Sequence, residues 1–251
     1  MLSQSAQACL SGICRLCAPK NLNNKHEFQI ASLGVPIFIN VSSAILTRFL
    51  RDDISGIKMK KFRIDWTNNS IKYLSREKKA IIKSLDDAIP FTQGKYLNDF
   101  EKKFKKYLTS KSAYAVSNGS NALDLSAILI DTNPEDEIIV PAHTWCASAI
   151  SFARFGAKII WADINPSTLV ISIDSIKKLV TKNTKAIIVV HLYGVPADMK
   201  AIMTFAKKNK IIIIEDCAQA LGASIGNKKV GTFGDISIFS FHSNKIITTL
   251  G

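Results

Sequence analysis

IIIIEDCAQALGA, residues 211–223, places four consecutive isoleucines directly before an acidic pair and a group of small residues. A short run that is apolar throughout is typical of a strand buried on both faces of a parallel sheet. Similar runs recur along the chain, at residues 113–117, 137–141, 158–163, 186–192 and 236–242. Segments with helical periodicity separate them. This alternation predicts an α/β fold, with a mostly parallel sheet flanked by helices.

The predicted helices occupy the intervals between these runs. In YLNDFEKKFKKYL (96–108), aromatic and leucine side chains recur at helical spacing and share one face. The other predicted helices lie at about residues 75–89, 120–130, 144–155, 173–181 and 197–209. Crossover helices of this kind are what parallel strands need as connections.

The regular pattern begins at about Met59, so we divide the 251 residues into an N-terminal extension, 1–58, and a large domain, 59–251. The sequence assigns no role to the extension, and a reading frame that truly starts at Met59 is an open alternative. Residues 28–47 are uncharged and long enough to cross a bilayer, but polar residues and a central proline argue against a membrane helix. No basic region precedes them as in a signal peptide. We therefore expect no membrane partner.

The formal net charge is +13, from 33 Lys and Arg against 20 Asp and Glu. Such a balance is compatible with nucleic acid or with an anionic small substrate as partner. The lysines form scattered pairs without a nucleic-acid-binding motif, so we favour a solvated basic surface and expect no nucleic acid. Five cysteines are an odd number and too sparse for a disulfide framework, and the single C-x-x-C (Cys14 and Cys17) lacks a second ligand pair for zinc. We therefore expect a cytoplasmic protein without a metal.

Several predicted strands end in polar residues, namely Asp163, His191, Asp216 and Ser240. Ligands of parallel sheets bind at the carboxyl ends of the strands, so this convergence predicts a site. For Asp163, which precedes Ile-Asn-Pro, a turn or cap role explains the residue equally well. The site prediction therefore depends mainly on the other three residues.

SNGSNAL, residues 117–123, follows a predicted strand and opens a helix, which favours an anion site at Gly119 and Ser120. The same residues also make a good turn and helix cap, so the motif alone is weak. Gly226 and Gly231 have the spacing of a P-loop, but Thr232 stands where its lysine would be. That stretch is better interpreted as a hairpin or loop.

Three further residues suggest a bound heteroaromatic cofactor. Lys245 follows a buried strand, where desolvation lowers the pKa of an amine and makes it a nucleophile for a Schiff base. Asp216 ends the isoleucine strand and needs a cationic partner, which a protonated pyridine nitrogen supplies. Trp145 can stack on a flat ring. The plain alternatives are a surface lysine and a core tryptophan.

The segments VPAHTWCASA (140–149), VVHLYGVPADM (189–199), IIEDCAQALGA (213–223) and FSFHSNKIITT (239–249) together resemble the DegT/StrS-type family of pyridoxal-phosphate (PLP) sugar aminotransferases. TQGKYLNDFEKKFKKYL and SNGSNALDL match the same family in the right order, so the likeness extends from about residue 60 to the C-terminus. The resemblance implies an aspartate-aminotransferase-like (fold type I) PLP large domain. It also implies a homodimer with active sites at the interface.

The resemblance assigns a role to each candidate residue. Lys245 is expected to bind PLP covalently and then to move a proton between cofactor and substrate. Asp216 is expected to pair with the pyridine nitrogen, Gln219 to contact the ring hydroxyl and Trp145 to stack on the ring. The phosphate is expected to be bound by Gly119, Ser120 and Ser240. His191 belongs to a family motif, but no chemical role follows for it.

The implied reaction moves an amino group from glutamate to a keto group of a nucleotide-linked deoxysugar, as in the synthesis of lipopolysaccharide and other surface polysaccharides. Retention of Lys245 argues against dehydration, because sugar dehydratases of the family replace that lysine. Ile246 and Leu250 depart from the family pattern, and the chain stops at Gly251. We therefore expect an incomplete large domain, with the small C-terminal domain missing.

A large domain without its neighbouring segments exposes apolar surface and loses stability. We therefore expect the isolated chain to be inactive or poorly folded, and its dimerisation stays open. The alternative function is a non-catalytic remnant or binding subunit of the same fold.

Overall fold

A computed structural model of the chain describes residues 37–40, 75–87 and 94–249. Its strands are β1 (Ile37–Asn40), β2 (Tyr114–Val116), β3 (Glu137–Pro141), β4 (Lys158–Ala162), β5 (Thr184–Val190), β6 (Ile212–Asp216), β7 (Ser224–Ile225), β8 (Lys228–Lys229) and β9 (Ile236–Phe239). Its helices are α1 (Ser75–Asp87), α2 (Lys95–Leu108), α3 (Gly119–Leu129), α4 (Ala147–Ala153), α5 (Ile173–Leu179) and α6 (Met199–Asn209).

Seven of the strands form one sheet in the order β2-β1-β9-β6-β5-β3-β4, and all neighbouring strands in it run parallel. The structure thus confirms the predicted α/β class and the parallel sheet. The carboxyl ends of parallel strands meet at one edge, so the polar residues that end β5, β6 and β9 are brought to the same side.

The centre of the sheet is buried on both faces. Strand β3 is buried along its whole length, and the isoleucines of β5 and β6 join it in the main core. The fully buried isoleucines of these three strands are Ile138, Ile139, Ile187, Ile188, Ile213 and Ile214. Burying each such side chain stabilises the fold by about 1.5–3 kcal/mol relative to leaving it exposed. The apolar runs in the sequence reflect this two-sided burial.

Side-chain caps define where several helices begin. The Asn118 side chain accepts a hydrogen bond from the Asn121 N–H at 2.8 Å, immediately before α3. Asp198 caps α6 in the same way, accepting from the Ala201 N–H at 3.1 Å. Such caps satisfy N–H groups that have no acceptor within the helix. The start of α3 is thereby fixed directly after β2.

An aromatic cluster joins α2 to the last residue of β9 and to the segment that follows it. Phe104 packs edge-on against Phe239, with ring centroids 5.1 Å apart, and Phe100 packs edge-on against Phe241 at 5.3 Å. Edge-to-face pairs of this kind stabilise by about 0.5–1.5 kcal/mol beyond the area they bury. The predicted amphipathic helix is confirmed, and its apolar face holds the chain on both sides of Ser240.

Strand β1 lies between β2 and β9 and pairs with both of them in parallel. Its four residues fall within the stretch 1–58 that the sequence assigned to an extension, so this part of the stretch belongs to the sheet. A short run of β-prone residues, Ile-Phe-Ile, accounts for the strand. The predicted boundary at Met59 lies outside the described residues.

Strands β7 and β8 form a separate antiparallel hairpin, with Ile225 opposite Lys228. Gly226 has a φ of 58° at the turn, a conformation that glycine adopts without strain. The hairpin interpretation of this stretch is thus confirmed over the P-loop alternative. In the described part of the chain, no helix is both long and apolar enough to span a membrane.

Candidate active site

The start of α3 and the end of β9 meet at the carboxyl edge of the sheet. A Cβ placed on Gly119 would lie 3.5 Å from the Ser240 Cβ and 3.7 Å from its Oγ, so the two residues are in direct contact. The N–H groups of Gly119 and Ser120 come before the first intrahelical hydrogen bond, which Ala122 donates to Asn118. A helix N-terminus beside a hydroxyl is suited to bind a phosphate. The structure therefore brings these three predicted phosphate-binding residues together.

Asp216 ends β6 with its carboxylate buried. Oδ1 accepts a hydrogen bond from the Ala218 N–H at 3.1 Å, and Oδ2 accepts one from the Ser148 hydroxyl at 2.8 Å. Burial raises the pKa of the Asp216 carboxyl, and these two hydrogen bonds act in the opposite direction. A carboxylate has about four acceptor positions, so capacity for a further donor remains.

Lys245 lies in the turn after β9, where its N–H donates to the His242 carbonyl at 2.9 Å. Burial lowers the pKa of the Lys245 amine, and the negative charge of Asp216 partly opposes this. A lysine with a lowered pKa has more neutral amine at neutral pH and is a better nucleophile. The structure thus places the predicted lysine within electrostatic reach of the predicted aspartate.

Gln219 follows in the turn after β6, and its Oε1 accepts the Tyr193 N–H at 2.9 Å. Because a backbone N–H can only donate, this bond fixes the carboxamide oxygen, and its NH2 group is left as the donor. Tyr193 itself has a φ of 55° in the turn after β5. The arrangement fits the predicted contact of Gln219 with a ring hydroxyl.

Trp145 lies between β3 and α4, with 72% of its surface exposed. Its carbonyl accepts the Ser148 N–H at 3.0 Å, which ties the tryptophan backbone to the residue that contacts Asp216. The structure does not bring its ring against another predicted site residue, so ring stacking stays a prediction.

A buried pair next to the site has a role that the sequence did not assign. Glu215 is fully buried, and Oε2 lies 3.1 Å from Nε2 of the equally buried His191. The Ala197 N–H donates to Nδ1 of His191 at 3.1 Å, so Nδ1 is unprotonated and Nε2 carries the hydrogen. His191 therefore donates to Glu215 as a neutral imidazole.

Glu215 also fastens the loop between β8 and β9. Oε1 accepts the N–H groups of Phe233 and Gly234, each at 2.7 Å, and Oε2 accepts that of Gly231 at 2.8 Å. With His191, four donors saturate the carboxylate. The only hint in the sequence was the position of both residues at strand ends.

His191, Glu215 and Cys217 offer potential ligand atoms within 4.8 Å of one another. However, the hydrogen bonds to His191 and Glu215 already use the atoms that a metal would need. Burial also raises the pKa of the Cys217 thiol well above its usual value, which opposes the thiolate form that binds metals. We therefore interpret this cluster as a hydrogen-bond network.

Comparisons with known proteins place this site in context. Residues 72–251 match the DegT/DnrJ/EryC1/StrS aminotransferase family. A GDP-perosamine synthase of Escherichia coli O157:H7 is 42% identical over 174 residues, which is 69% of this chain and 48% of the relative. The chain thus spans about half the length of the curated relatives it matches.

Solved structures agree with that match. An aminotransferase from Psychrobacter cryohalolentis superposes with a TM-score of 0.69 at 37% identity, covering 72% of this chain and 46% of that one. The E. coli GDP-4-keto-6-deoxy-D-mannose-3-dehydratase with bound hydrated PLP gives a TM-score of 0.67 at 36% identity, covering 72% and 48%. These neighbours confirm the fold type I prediction. The chain belongs to the DegT/DnrJ/EryC1/StrS aminotransferase family.

Proposed function

We propose that this chain is the cofactor-binding large domain of a PLP-dependent aminotransferase that acts on a keto group of a nucleotide-linked deoxysugar. The observation that carries the proposal is one constellation at the carboxyl edge of the sheet. It combines a buried carboxylate, Asp216, a half-buried lysine, Lys245, and the contact of Gly119 with Ser240. A nucleophile, a counter-ion and an anion cradle are the three parts that PLP requires.

The residues present fit PLP chemically. The buried Asp216 carboxylate has two protein donors and capacity for a third, which suits a pyridinium N–H. Gln219 offers an NH2 group to the ring hydroxyl, because its oxygen is held by Tyr193. The contact between Gly119 and Ser240 provides helix N–H groups and a hydroxyl for the phosphate.

Each of these residues has a defined task in the proposed reaction. PLP, when bound, supplies an electron sink that stabilises negative charge on the substrate carbon. Asp216 would keep the ring nitrogen protonated, and Gly119, Ser120 and Ser240 would hold the phosphate end. Lys245 would hold the cofactor through its Nζ and, as a free amine with a lowered pKa, would accept the proton of the substrate carbon and return it.

The proposed substrates follow from the relatives and the family resemblance. The matched proteins include a GDP-perosamine synthase and a dTDP-3-amino-3,6-dideoxy-alpha-D-galactopyranose transaminase, whose names describe nucleotide-linked amino sugars. Glutamate as amino donor, a cytoplasmic location and a role in surface polysaccharide synthesis complete the proposal. Dehydration is disfavoured because Lys245 is retained.

Exposed apolar side chains near the site support a second subunit. Tyr193, Ile246 and Ile247 have exposed fractions of 65%, 65% and 56%, and Trp145 is also exposed. Large exposed apolar side chains beside a candidate site favour an interaction surface. We therefore include a homodimer in the proposal.

The test is the visible absorption spectrum of the 251-residue protein with added PLP, compared with the Lys245→Ala variant. The proposal requires a yellow band that depends on Lys245 and that bleaches when glutamate is added. Lys228→Ala serves as control, because Lys228 lies on the hairpin and is expected to leave the spectrum unchanged. A lysine-dependent band that glutamate does not bleach would support the non-catalytic alternative, and no such band would refute PLP binding by this chain.

A further inference from the structure

We propose that Thr144 and Ser148 form a directional hydroxyl relay that keeps the Asp216 carboxylate ionised and aimed at the cofactor ring. The relay makes Ser148 a positioning residue, acting through Asp216. This inference rests on the proposed function, because it assigns a partner to the carboxylate that would hold the pyridine nitrogen.

The geometry of the relay is a chain of two short contacts. The Ser148 Oγ lies 2.8 Å from Asp216 Oδ2 and 3.0 Å from Thr144 Oγ1. Ser148 and Asp216 come from different elements, α4 and β6, and both are buried. A hydrogen bond to a charged group in such surroundings is stronger than one in water.

The direction of the relay follows from counting hydrogens. An ionised carboxylate can only accept, so the single Ser148 hydroxyl hydrogen must point to Asp216. Ser148 then has only lone pairs to offer Thr144, and Thr144 must donate to it. The two bonds polarise each other in the same sense and add to the stabilisation of the negative charge on Asp216.

The residues of the relay also lie beside Trp145. Thr144 and Ser148 flank Trp145, and the Ser148 N–H donates to the Trp145 carbonyl at 3.0 Å. The backbone of Trp145 is therefore tied to the serine whose hydroxyl contacts Asp216. A shift of α4 is expected to move both contacts together.

Loss of the Ser148 hydroxyl has a definite electrostatic consequence. Asp216 Oδ2 would lose its protein donor while the carboxylate stays buried. Burial favours the protonated form, so the carboxyl would take up a proton at a higher pH than in the wild type. A protonated Asp216 can no longer serve as counter-ion to a pyridinium.

The first measurement titrates Asp216 by 13C NMR in the cofactor-free full chain, with Asp216→Asn identifying the signal. We expect Ser148→Ala to raise the proton affinity of Asp216 about tenfold, and Thr144→Val to raise it by a smaller factor. Ser148→Thr, which keeps a hydroxyl, should restore the wild-type titration. Ser126→Ala is the control, because Ser126 is equally buried but bonds only to the Ala122 carbonyl of its own helix.

The second measurement is PLP binding, followed by cofactor absorbance over a pH range. Ser148→Ala should weaken binding about fivefold to tenfold and move the pH at which the spectrum changes, whereas Ser126→Ala should do neither. An Asp216 titration that is the same in Ser148→Ala and in the wild type overturns the relay. If the wild type lacks a lysine-dependent band, the proposed function fails, while the NMR titration still decides whether the relay exists.

Discussion

Glu215 and Asp216 are neighbours at the end of β6, yet they lie in two regions of opposite character. Consecutive strand residues point to opposite faces of a sheet, so one carboxylate meets the loop after β8 and the other meets α4. Glu215 accepts four hydrogen bonds, three from backbone N–H groups and one from His191. Asp216 accepts two and shares its surroundings with Lys245.

This contrast separates a carboxylate whose acceptor positions are filled by the protein from one that can still accept a hydrogen bond from a ligand. A buried charge is tolerated when donors saturate it, and saturation leaves nothing for a ligand. Asp216 is buried with fewer donors than it can accept, and its raised pKa records the cost. An under-satisfied buried acid beside a cation of lowered pKa is a pattern of functional sites.

Removing the Glu215 carboxylate should have the largest effect on stability. Glu215→Ala leaves three backbone N–H groups and the His191 N–H without their acceptor in a buried place. We expect the free energy of unfolding to fall by about 3–5 kcal/mol. Urea denaturation followed by circular dichroism measures it.

Asp163→Ala is the matched control for that experiment, because Asp163 also follows a strand but is exposed. The control should change stability by less than about 0.5 kcal/mol. Equal effects of the two substitutions on stability would contradict the structural role of Glu215. The contrast between Glu215 and Asp216 would then no longer hold.

Asp216→Asn should have the opposite effects to Glu215→Ala: the reaction with glutamate should slow, and the fold should stay stable. The neutral amide cannot serve as counter-ion to a pyridinium, so the glutamate-dependent bleaching of bound PLP should slow by about 10²-fold to 10³-fold. Without cofactor, removal of a buried charge should raise the free energy of unfolding at neutral pH. Stopped-flow absorbance and urea denaturation provide the two measurements. A variant that loses stability while keeping its bleaching rate would reverse the assignment of the two carboxylates.

Most of the fold was predictable because a strand that is buried on both faces is a continuous run of apolar residues in the sequence. IIIIED at 211–216 and EIIVP at 137–141 correspond to β6 and β3 within a residue. The ends were less accurate, since the predicted helix 144–155 is Ala147–Ala153 in the structure. The first three residues of that prediction instead form the segment that carries Thr144 and Trp145.

The site was predictable in its residue types but not in its contacts. Lys245 and Asp216 stand out because polar groups after apolar runs are costly without a function. The hydrogen bond between Ser148 and Asp216 joins residues 68 positions apart, and no local pattern reveals it. Strand β1 was missed for a related reason, because its pairing with β2 and β9 depends on neighbours that are distant in sequence.

The smallest expected effect is on the pH dependence of stability, compared between the wild type and Asp216→Asn. The pKa of Asp216 is raised above 3.8 in the folded chain, so the protonated carboxyl is favoured by folding. Its contribution to stability is fully present below the pKa of the unfolded chain and is lost as the pH rises through the pKa of the folded chain.

The Asp216→Asn variant has no carboxyl at this position and therefore no such titration. The wild type should therefore lose stability relative to this variant as the pH rises above about 4. Urea denaturation of both proteins across this range measures the difference, and a gap that stays constant, or that closes as the pH rises, would show that Asp216 is as well satisfied as Glu215.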